Sequence, residues 1–234
     1  MKTYIIHVSD ATDREKQIKD QLKGKKLDPI FVCEGDIKDI SQEVLDSFFK
    51  GRMYKVNAQV SCAYKHILSY QKIAESGNEI SLILEDDISF YSDFENNIEK
   101  LLSEIKRREL DNFVLSIEDS TLNYIARSKR EKGVLIYPEK YGRTNGAYLI
   151  DKKGAQSILD YAKENKIDRP IDFYHNLCIE KGSINMYWSQ PAFCRQGSLD
   201  GSTKSLIDNK RLGLLRVLSF KAQRVYKKLL YNFR

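Results

Sequence analysis

The run Ile80–Asp87 constrains the fold of this chain more than any other segment. Five β-prone, largely apolar residues lead directly into Glu85, Asp86 and Asp87, which predicts a buried strand that ends in three carboxylates. Because side chains alternate along a strand, Glu85 and Asp87 are expected on one face and Asp86 on the other. Two carboxylates on one face suit Mg²⁺ or Mn²⁺, and ligands bind open α/β sheets beyond the carboxyl ends of the strands. The alternative is an acidic loop that lies in water.

Length and composition indicate one folded domain followed by a tail. The chain has 234 residues, of which 41% are hydrophobic, and we expect residues 1–203 to form an α/β domain. Four cysteines occur without a C-x-x-C pair or metal-ligand spacing, which predicts free thiols in a reducing compartment. The first residues do not have the pattern of a signal peptide, and no apolar run approaches the ~18 residues of a membrane span. These features predict a cytoplasmic protein.

The tail, residues 204–234, accounts for the net positive charge of the chain. It has nine basic residues and one acid, whereas residues 1–203 have 30 basic and 32 acidic residues. Apolar residues recur in the tail at helical spacing: Leu214, Leu215, Leu218, Ala222, Val225, Tyr226, Leu229 and Phe233. This pattern predicts a basic amphipathic helix.

Three roles are open for this helix. It can lie on an anionic membrane, dock its apolar stripe on the domain, or bind nucleic acid. Membrane contact is favoured because the single acid, Asp208, leaves little charge pairing within the helix. Nucleic acid is disfavoured because the domain has no basic face and no recognised nucleic-acid motif. An anionic membrane surface is therefore the expected partner of residues 204–234.

Strand and helix patterns alternate along the domain. Strands are predicted at residues 3–8, 29–33, 80–84, 113–117, 134–137, 147–150 and 184–188, and helices at 10–23, 57–76, 93–108, 151–163 and 171–180. Asn57 and Asp151 are expected to cap their helices, and the first helix is expected to have an acidic N-cap. This order predicts a central, mostly parallel sheet covered by helices on both faces.

Several segments together carry a family resemblance. They are Tyr4-Ile5-Ile6 with Arg14, Gln59 to His66, Leu82 to Asp87, Asn145 to Ile150 with Gly154-Ala155, and Pro170 to Tyr174 with Pro191 and Gln196. In order and spacing they resemble glycosyltransferase family 25, the lipopolysaccharide and lipooligosaccharide galactosyltransferase group, over about residues 3–203. The chain departs from the family pattern at His7-Val8, at Asn57-Ala58-Gln59 and at Lys65, positions that bear on which sugar the donor carries.

The resemblance implies a GT-A-like nucleotide-diphosphosugar transferase fold that uses Mn²⁺ or Mg²⁺. It also implies transfer of a hexose with inversion, most often galactose from UDP-galactose, onto a lipopolysaccharide, a lipooligosaccharide or a related oligosaccharide or glycolipid acceptor. UDP-glucose and UDP-N-acetylglucosamine remain alternative donors. The expected location is the inner face of a bacterial inner membrane, where the protein would be peripheral and cytoplasmic.

Five acids are assigned roles from this chemistry and the resemblance. Asp87 is the first expected metal ligand. Glu85 is expected to share the metal or to form a hydrogen bond with the donor ribose or sugar. Asp86 is expected to orient one of these two carboxylates. Inversion needs a carboxylate that takes the proton of the acceptor hydroxyl, and Asp172 is the expected base, with Asp119 as the second candidate. The alternative for Asp172 is an acid that only complements a helix dipole.

A helix from residue 57 adds further donor contacts. Gln59, Cys62 and His66 share one face at three- and four-residue spacing, and together they are expected to line the donor pocket. The alternative for His66 is a buried structural histidine, because no second histidine lies at metal-ligand spacing. His66 is therefore expected to be a donor contact rather than a zinc ligand.

Three more residues complete the predicted donor site. Arg14 is expected near the uracil or the pyrophosphate, with a solvated helix charge as the alternative. Residues 196–204 are polar and contain two glycines, which predicts a lid over the donor or, alternatively, a linker. In the lid, Gln196 would complete the metal shell and Lys204 would meet phosphate.

Two other function classes compete with a transferase. The acidic strand end also suits a metal-dependent phosphoryl-transfer or hydrolytic enzyme, which is less favoured because no P-loop is present. A catalytically inactive membrane-associated adaptor would use only the basic tail.

Overall fold

The computed structural model describes residues 1–200 and 214–234. The described strands are β1 (Lys2–Ile6), β2 (Asp28–Val32), β3 (Ile80–Glu85), β4 (Ile88–Phe90), β5 (Phe113–Ser116), β6 (Ile136–Glu139), β7 (Ala147–Asp151), β8 (Asn185–Ser189) and β9 (Cys194–Gln196). The described α-helices are α1 (Thr12–Leu22), α2 (Gln42–Phe48), α3 (Ala58–Glu75), α4 (Phe94–Arg107), α5 (Lys152–Asn165), α6 (Ile171–Glu180), α7 (Gly197–Asp200) and α8 (Leu214–Phe233).

Seven strands form the central sheet, in the order β2-β1-β3-β7-β5-β8-β6. The strand pairings make five of them run in one direction, whereas β6 and β7 run in the other. β3 lies inside this sheet between β1 and β7, and its residues from Ser81 to Leu84 are buried. An apolar run without alternation is typical of a strand that is covered on both faces. The predicted α/β class with a mostly parallel central sheet is confirmed.

Two separate cores cover the two faces of the sheet. Ile83 of β3 packs into a core with helices α3, α5 and α6, whereas Leu82 and Leu84 pack into a second core with α1 and α4. This division follows the period-two alternation of a strand. The predicted helical cover on both faces is confirmed, and it leaves the ends of the strands as the place for a ligand.

Local sequence signals correctly predicted the bounds of one helix and the N-caps of two others. α6 has the predicted bounds, and the Asn57 side chain accepts hydrogen bonds from two amides of the first turn of α3. Asp151 likewise caps α5 by accepting a bond from Gly154 N. The acidic N-cap expected for the first helix is wrong: its N-cap is Ala11 and makes no side-chain cap bond. The acids of α1 lie inside its first turn, where they complement the helix dipole without capping it.

Helix α8 contacts the domain through its basic side. Arg224 and Lys228 form ion pairs with Asp119, and Tyr231 packs edge-on against Tyr124. The large apolar side chains that α8 leaves exposed are Leu218, Val225, Tyr226, Leu229 and Phe233. For these residues the alternative of a stripe docked on the domain is wrong. No helix in residues 1–200 or 214–234 is long and apolar enough to cross a membrane.

Candidate active site

A cavity of about 740 Å³ opens where β1, β2 and β3 end. This is the volume of a small-molecule site, and it lies in the crevice expected for an open α/β sheet. Its walls also include the start of α3, the loop before β7 and the start of α6. The predicted site residues among its lining are Arg14, Gln59, Glu85, Asp86, Asp87, Asp172 and Gln196.

All three carboxylates of the strand end face this cavity. β3 ends at Glu85, and Asp86 and Asp87 form the turn before β4. The expectation that Asp86 points to the other face is therefore wrong, because strand alternation stops where the turn begins. Arg14 Nη1 lies 2.5 Å from Asp86 Oδ1, and His7 Nδ1 lies 2.8 Å from Asp86 Oδ2. The negative charge of Asp86 is thus balanced by Arg14, and its second oxygen is bonded to His7.

Asp87 is compensated only in part. Its Oδ2 accepts a hydrogen bond from Ser198 N at 3.0 Å, while its buried Oδ1 has no hydrogen-bond partner among the described residues. Burial raises the pKa of Asp87. Burial, together with the neighbouring charges of Asp87 and Asp86, raises the pKa of Glu85 to about 8. Like charges in a poorly solvated site favour the binding of a cation.

Glu85 is the end of a chain of hydrogen bonds. Gln196 Nε2 donates to Glu85 at 2.7 Å, and the hydroxyl of Thr144 lies between the amide oxygen of Gln196 and Glu118. Burial raises the pKa of Glu118 to about 7. A Cβ on Gly146 would lie 2.4 Å from Gln196 Cδ, so only glycine at position 146 leaves room for this amide.

Sequence reasoning did not single out Glu118 or Thr144. Glu118 follows the buried segment of β5 in the same way as Glu85 closes β3, so an acid at a second strand end was the available signal. Thr144 gave no signal, because a single threonine in a loop has no pattern.

Lys65 was noted only as a departure from the family. It is buried, and its Nζ lies 2.8 Å from Asp36 Oδ1 and 2.7 Å from the carbonyl oxygen of Cys33, which holds the loop after β2 against α3.

Asp172 reaches the cavity from the first turn of α6, which follows Pro170. Burial raises the pKa of this carboxyl, although backbone amides at the helix start oppose the shift. A carboxylate with a raised pKa is a better proton acceptor near neutral pH. The neighbouring side chain, Phe173, is 56% exposed at the rim of the same cavity.

Two predicted site residues lie outside the cavity lining. Asp119 is buried, and its carboxylate accepts hydrogen bonds from Arg224 Nη2 at 2.7 and 2.8 Å and from Tyr124 at 3.3 Å. It therefore anchors α8. His66 is fully buried beneath Cys62, which does line the cavity. Lys204, the expected phosphate contact, lies outside the described residues, as does the domain boundary expected at residue 203.

His66 begins a buried network that joins three elements. Its Nδ1 lies 2.7 Å from the Tyr148 hydroxyl, which lies 2.6 Å from that of Tyr70; the latter lies 2.7 Å from His175 Nε2. The four residues belong to α3, β7 and α6. Burial lowers the pKa of His66 and that of His175 to about 3. Both imidazoles are therefore neutral, and the network carries no charge.

Comparison with known proteins gives one family match and several distant relatives. Residues 1–175 match the family model described as glycosyltransferase family 25 (LPS biosynthesis protein). Procollagen galactosyltransferase 1-B of Xenopus laevis is 21% identical over 200 residues, which are 80% of this chain and 32% of that protein. Procollagen galactosyltransferase 1 of Danio rerio is 26% identical over 140 residues, 56% of this chain and 22% of that protein. The chain thus spans less than a third of the length of these curated relatives.

Proposed function

Because the chain belongs to glycosyltransferase family 25, we propose that it is a metal-dependent, inverting galactosyltransferase. The donor is UDP-galactose, and the acceptor is a lipopolysaccharide, a lipooligosaccharide or a related glycan. One observation carries the proposal: Glu85 and Asp87 lie in one cavity of about 740 Å³, and a buried oxygen of Asp87 has no hydrogen-bond partner in the described part of the chain. Residues 1–203 form the transferase domain and residues 204–234 its tail.

The donor set of the cavity suits Mn²⁺ or Mg²⁺. Carboxylate oxygens are the ligands that these hard cations prefer, and Asp87 and Glu85 would hold the ion. Once bound, the cation stabilises as a Lewis acid the charge that develops on the departing diphosphate. Raised pKa values at both carboxyls support this assignment, because a cation offsets the cost of their burial.

The remaining donor contacts come from this chain's own side chains. Arg14 is held by Asp86 at the cavity wall, so its guanidinium is oriented to meet the pyrophosphate or the uracil. Gln59 lines the opening, and Gln196 is bonded to Glu85. These groups orient the nucleotide sugar before the acceptor arrives.

Asp172 is the proposed base. An acceptor hydroxyl attacks the anomeric carbon on the side opposite the departing UDP, and its proton passes to the Asp172 carboxylate. Phe173 offers an exposed aromatic face beside this carboxyl, on which an acceptor sugar can stack. Asp119 was the second candidate base. We favour Asp172 because it faces the cavity that contains Asp87, whereas Asp119 is bonded to Arg224.

A UDP-release assay tests the proposal. Wild type is compared with Asp172→Asn using UDP-galactose, UDP-glucose and UDP-N-acetylglucosamine, each with Mn²⁺, Mg²⁺ or EDTA. We expect turnover with UDP-galactose and a metal, and loss of turnover but not of donor binding in the variant. Two acceptors are tested in parallel. One is lipooligosaccharide, and the other is procollagen, because procollagen appears in the names of the relatives. Equal turnover in EDTA would contradict metal dependence, and near-wild-type turnover of Asp172→Asn would contradict the base.

The exposed stripe of α8 supports a peripheral location at an anionic membrane surface. Its five exposed apolar side chains, named above, share the helix with Lys221 and Lys227, whose charges would attract anionic lipid headgroups. The double variant Leu218→Ser/Leu229→Ser is expected to lose flotation with vesicles that contain phosphatidylglycerol. Ser219→Ala, on the same helix, is the matched control. Unchanged flotation of the double variant would refute the membrane role of this stripe.

A further inference from the structure

We propose that Cys62, His66 and Glu85 form a binding site for a single Zn²⁺ ion in the floor of the cavity. The Cys62 sulfur, one ring nitrogen of His66 and a carboxylate oxygen of Glu85 all lie within 4.8 Å of one another. In a tetrahedral zinc site, ligand atoms at 2.0–2.3 Å from the metal lie about 3.5 Å apart. Side-chain movements of roughly 1 Å therefore bring these three atoms to ligand positions.

One ring nitrogen of His66 has no protein partner that competes with a metal. The side chain is fully buried, and its Nε2 has no hydrogen-bond partner among the described residues. Its Nδ1 is held 2.7 Å from the Tyr148 hydroxyl. A metal-bound histidine typically donates its other ring N–H to an oxygen, which fixes the tautomer and the ring orientation. With Nδ1–H donating to Tyr148, the lone pair of Nε2 is free for a metal.

The proton order of the buried network agrees with that tautomer. If His66 donates to Tyr148, then Tyr148 can donate to Tyr70, and Tyr70 can donate to Nε2 of His175. Every contact in this chain then has one donor and one acceptor. The network thus acts as the outer shell that supports His66 from behind.

The ligand set selects a softer metal than the carboxylates do. A thiolate and an imidazole suit Zn²⁺, whereas Mg²⁺ and Mn²⁺ prefer oxygen ligands. Cys62 and His66 are four residues apart on α3, so they project from one side of the helix. Cys62 and Glu85 both line the cavity, which leaves the fourth position open to water or to a ligand.

The site has a consequence that rests on the proposed transferase function. Glu85 belongs to both sites, so an ion bound by Cys62 and His66 takes Glu85 away from Gln196 and from the donor. Zn²⁺ is then expected to inhibit the enzyme where Mn²⁺ supports it. The existence of the zinc site does not depend on this consequence, because metal binding can be measured without turnover.

The test is a titration of the metal-free 234-residue chain with Co²⁺, which occupies zinc sites and reports a thiolate ligand by a near-ultraviolet charge-transfer band. We expect one equivalent of this band, bleached by Zn²⁺, in wild type and in Asp87→Asn. The band is expected to be lost in Cys62→Ser. Cys33→Ser is the matched control, because Cys33 is a partly buried free thiol outside the cavity lining.

A second measurement applies even if Cys62→Ser fails to fold. In wild type, Zn²⁺ is expected to slow alkylation of Cys62 by at least tenfold, as read by peptide mass spectrometry, while alkylation of Cys33 is unchanged. Mg²⁺ should protect neither cysteine. Absence of the cobalt band in wild type, its persistence in Cys62→Ser, or equal alkylation of Cys62 with and without Zn²⁺ would overturn the proposal.

Discussion

Two buried polar clusters adjoin each other in this protein, and they are built in opposite ways. The imidazole–phenol network of His66, Tyr70, Tyr148 and His175 consists of neutral groups that bond to one another at 2.6–2.7 Å. The acidic cluster of Glu85, Asp86 and Asp87 consists of three carboxyl groups whose ionised forms repel one another. Its bonds run outwards, to Arg14, His7, Gln196 and the amide of Ser198.

The difference separates what holds the fold from what binds the ligand. A polar network with internal partners fixes α3, β7 and α6 relative to one another. A cluster of buried like charges opposes folding, unless a cation and its ligand offset the repulsion. We therefore expect substitutions in the network to lower stability and substitutions in the acidic cluster to lower activity.

The largest expected effect is on activity. Asp87→Asn removes the charge of the first metal ligand and keeps the shape of the side chain. We expect turnover with UDP-galactose to fall about a thousandfold, which corresponds to about 4 kcal/mol of transition-state stabilisation. The free energy of unfolding without metal should not fall, because like-charge repulsion is removed. Steady-state kinetics and urea unfolding measure both quantities.

Asp160→Asn is the control for this substitution, because Asp160 is exposed on α5 and bonds only to Gln156 among the described residues. A loss of stability in Asp87→Asn that matched its loss of activity would break the distinction between the clusters.

The next-largest expected effect is on the pH dependence of stability, which should have opposite signs for His175 and Glu118. His175 has a folded-state pKa of about 3, below its ordinary 6.5, so its contribution to stability is present above pH 6.5 and lost as pH falls towards 3. Glu118, next to the acidic cluster, has a folded-state pKa of about 7, above its ordinary 4.5. Its contribution is present below pH 4.5 and lost as pH rises through 7. Each slope is about 1.4 kcal/mol per pH unit.

Two variants isolate the contributions of His175 and Glu118 to the free energy of unfolding. Relative to wild type, His175→Gln should gain stability as pH falls from 6.5 to 4, and Glu118→Gln should gain stability as pH rises from 4.5 to 7. Each gain amounts to about 3 kcal/mol over its full range. Chemical unfolding at several pH values measures this gain, and the same sign of slope in both variants would contradict the opposite pKa shifts of His175 and Glu118.

Removal of one hydroxyl from the network should have a smaller effect. Tyr148→Phe leaves His66 Nδ1 and the Tyr70 hydroxyl without their shared partner in a fully buried site. We expect the free energy of unfolding to fall by about 2 kcal/mol. Tyr187→Phe, at a partly exposed position outside the network, should change it by less than about 0.5 kcal/mol. Equal effects would show that the network does not hold the fold.

The sequence was most informative where the signal is local. An apolar run with an acidic end predicted β3 and its cavity, and single side chains at helix starts predicted the caps at Asn57 and Asp151. The family resemblance added Asp172 and Gln196, which reach the cavity from distant segments. These features depend on short stretches of chain or on a pattern already known.

Other features depend on pairings across long stretches of sequence. His66 finds Tyr148 82 residues away, and Asp119 finds Arg224 105 residues away. No local pattern identifies such partners, so the sequence could not decide between a donor-contact and a structural role for His66, and it did not indicate that Asp119 anchors α8. The amphipathic pattern of α8 predicted which side is apolar but not which side contacts the domain.

Whether the acidic cluster binds a cation together with the donor is measured by isothermal titration calorimetry of UDP-galactose binding, with Mn²⁺ or with EDTA, to wild type and to Asp87→Asn. We expect wild type to bind at least tenfold more tightly with Mn²⁺ than with EDTA, and Asp87→Asn in Mn²⁺ to bind as weakly as wild type in EDTA. Equal affinity of wild type with and without the metal, or unchanged affinity of the variant, would contradict the claim that the acidic cluster binds a cation and a nucleotide sugar.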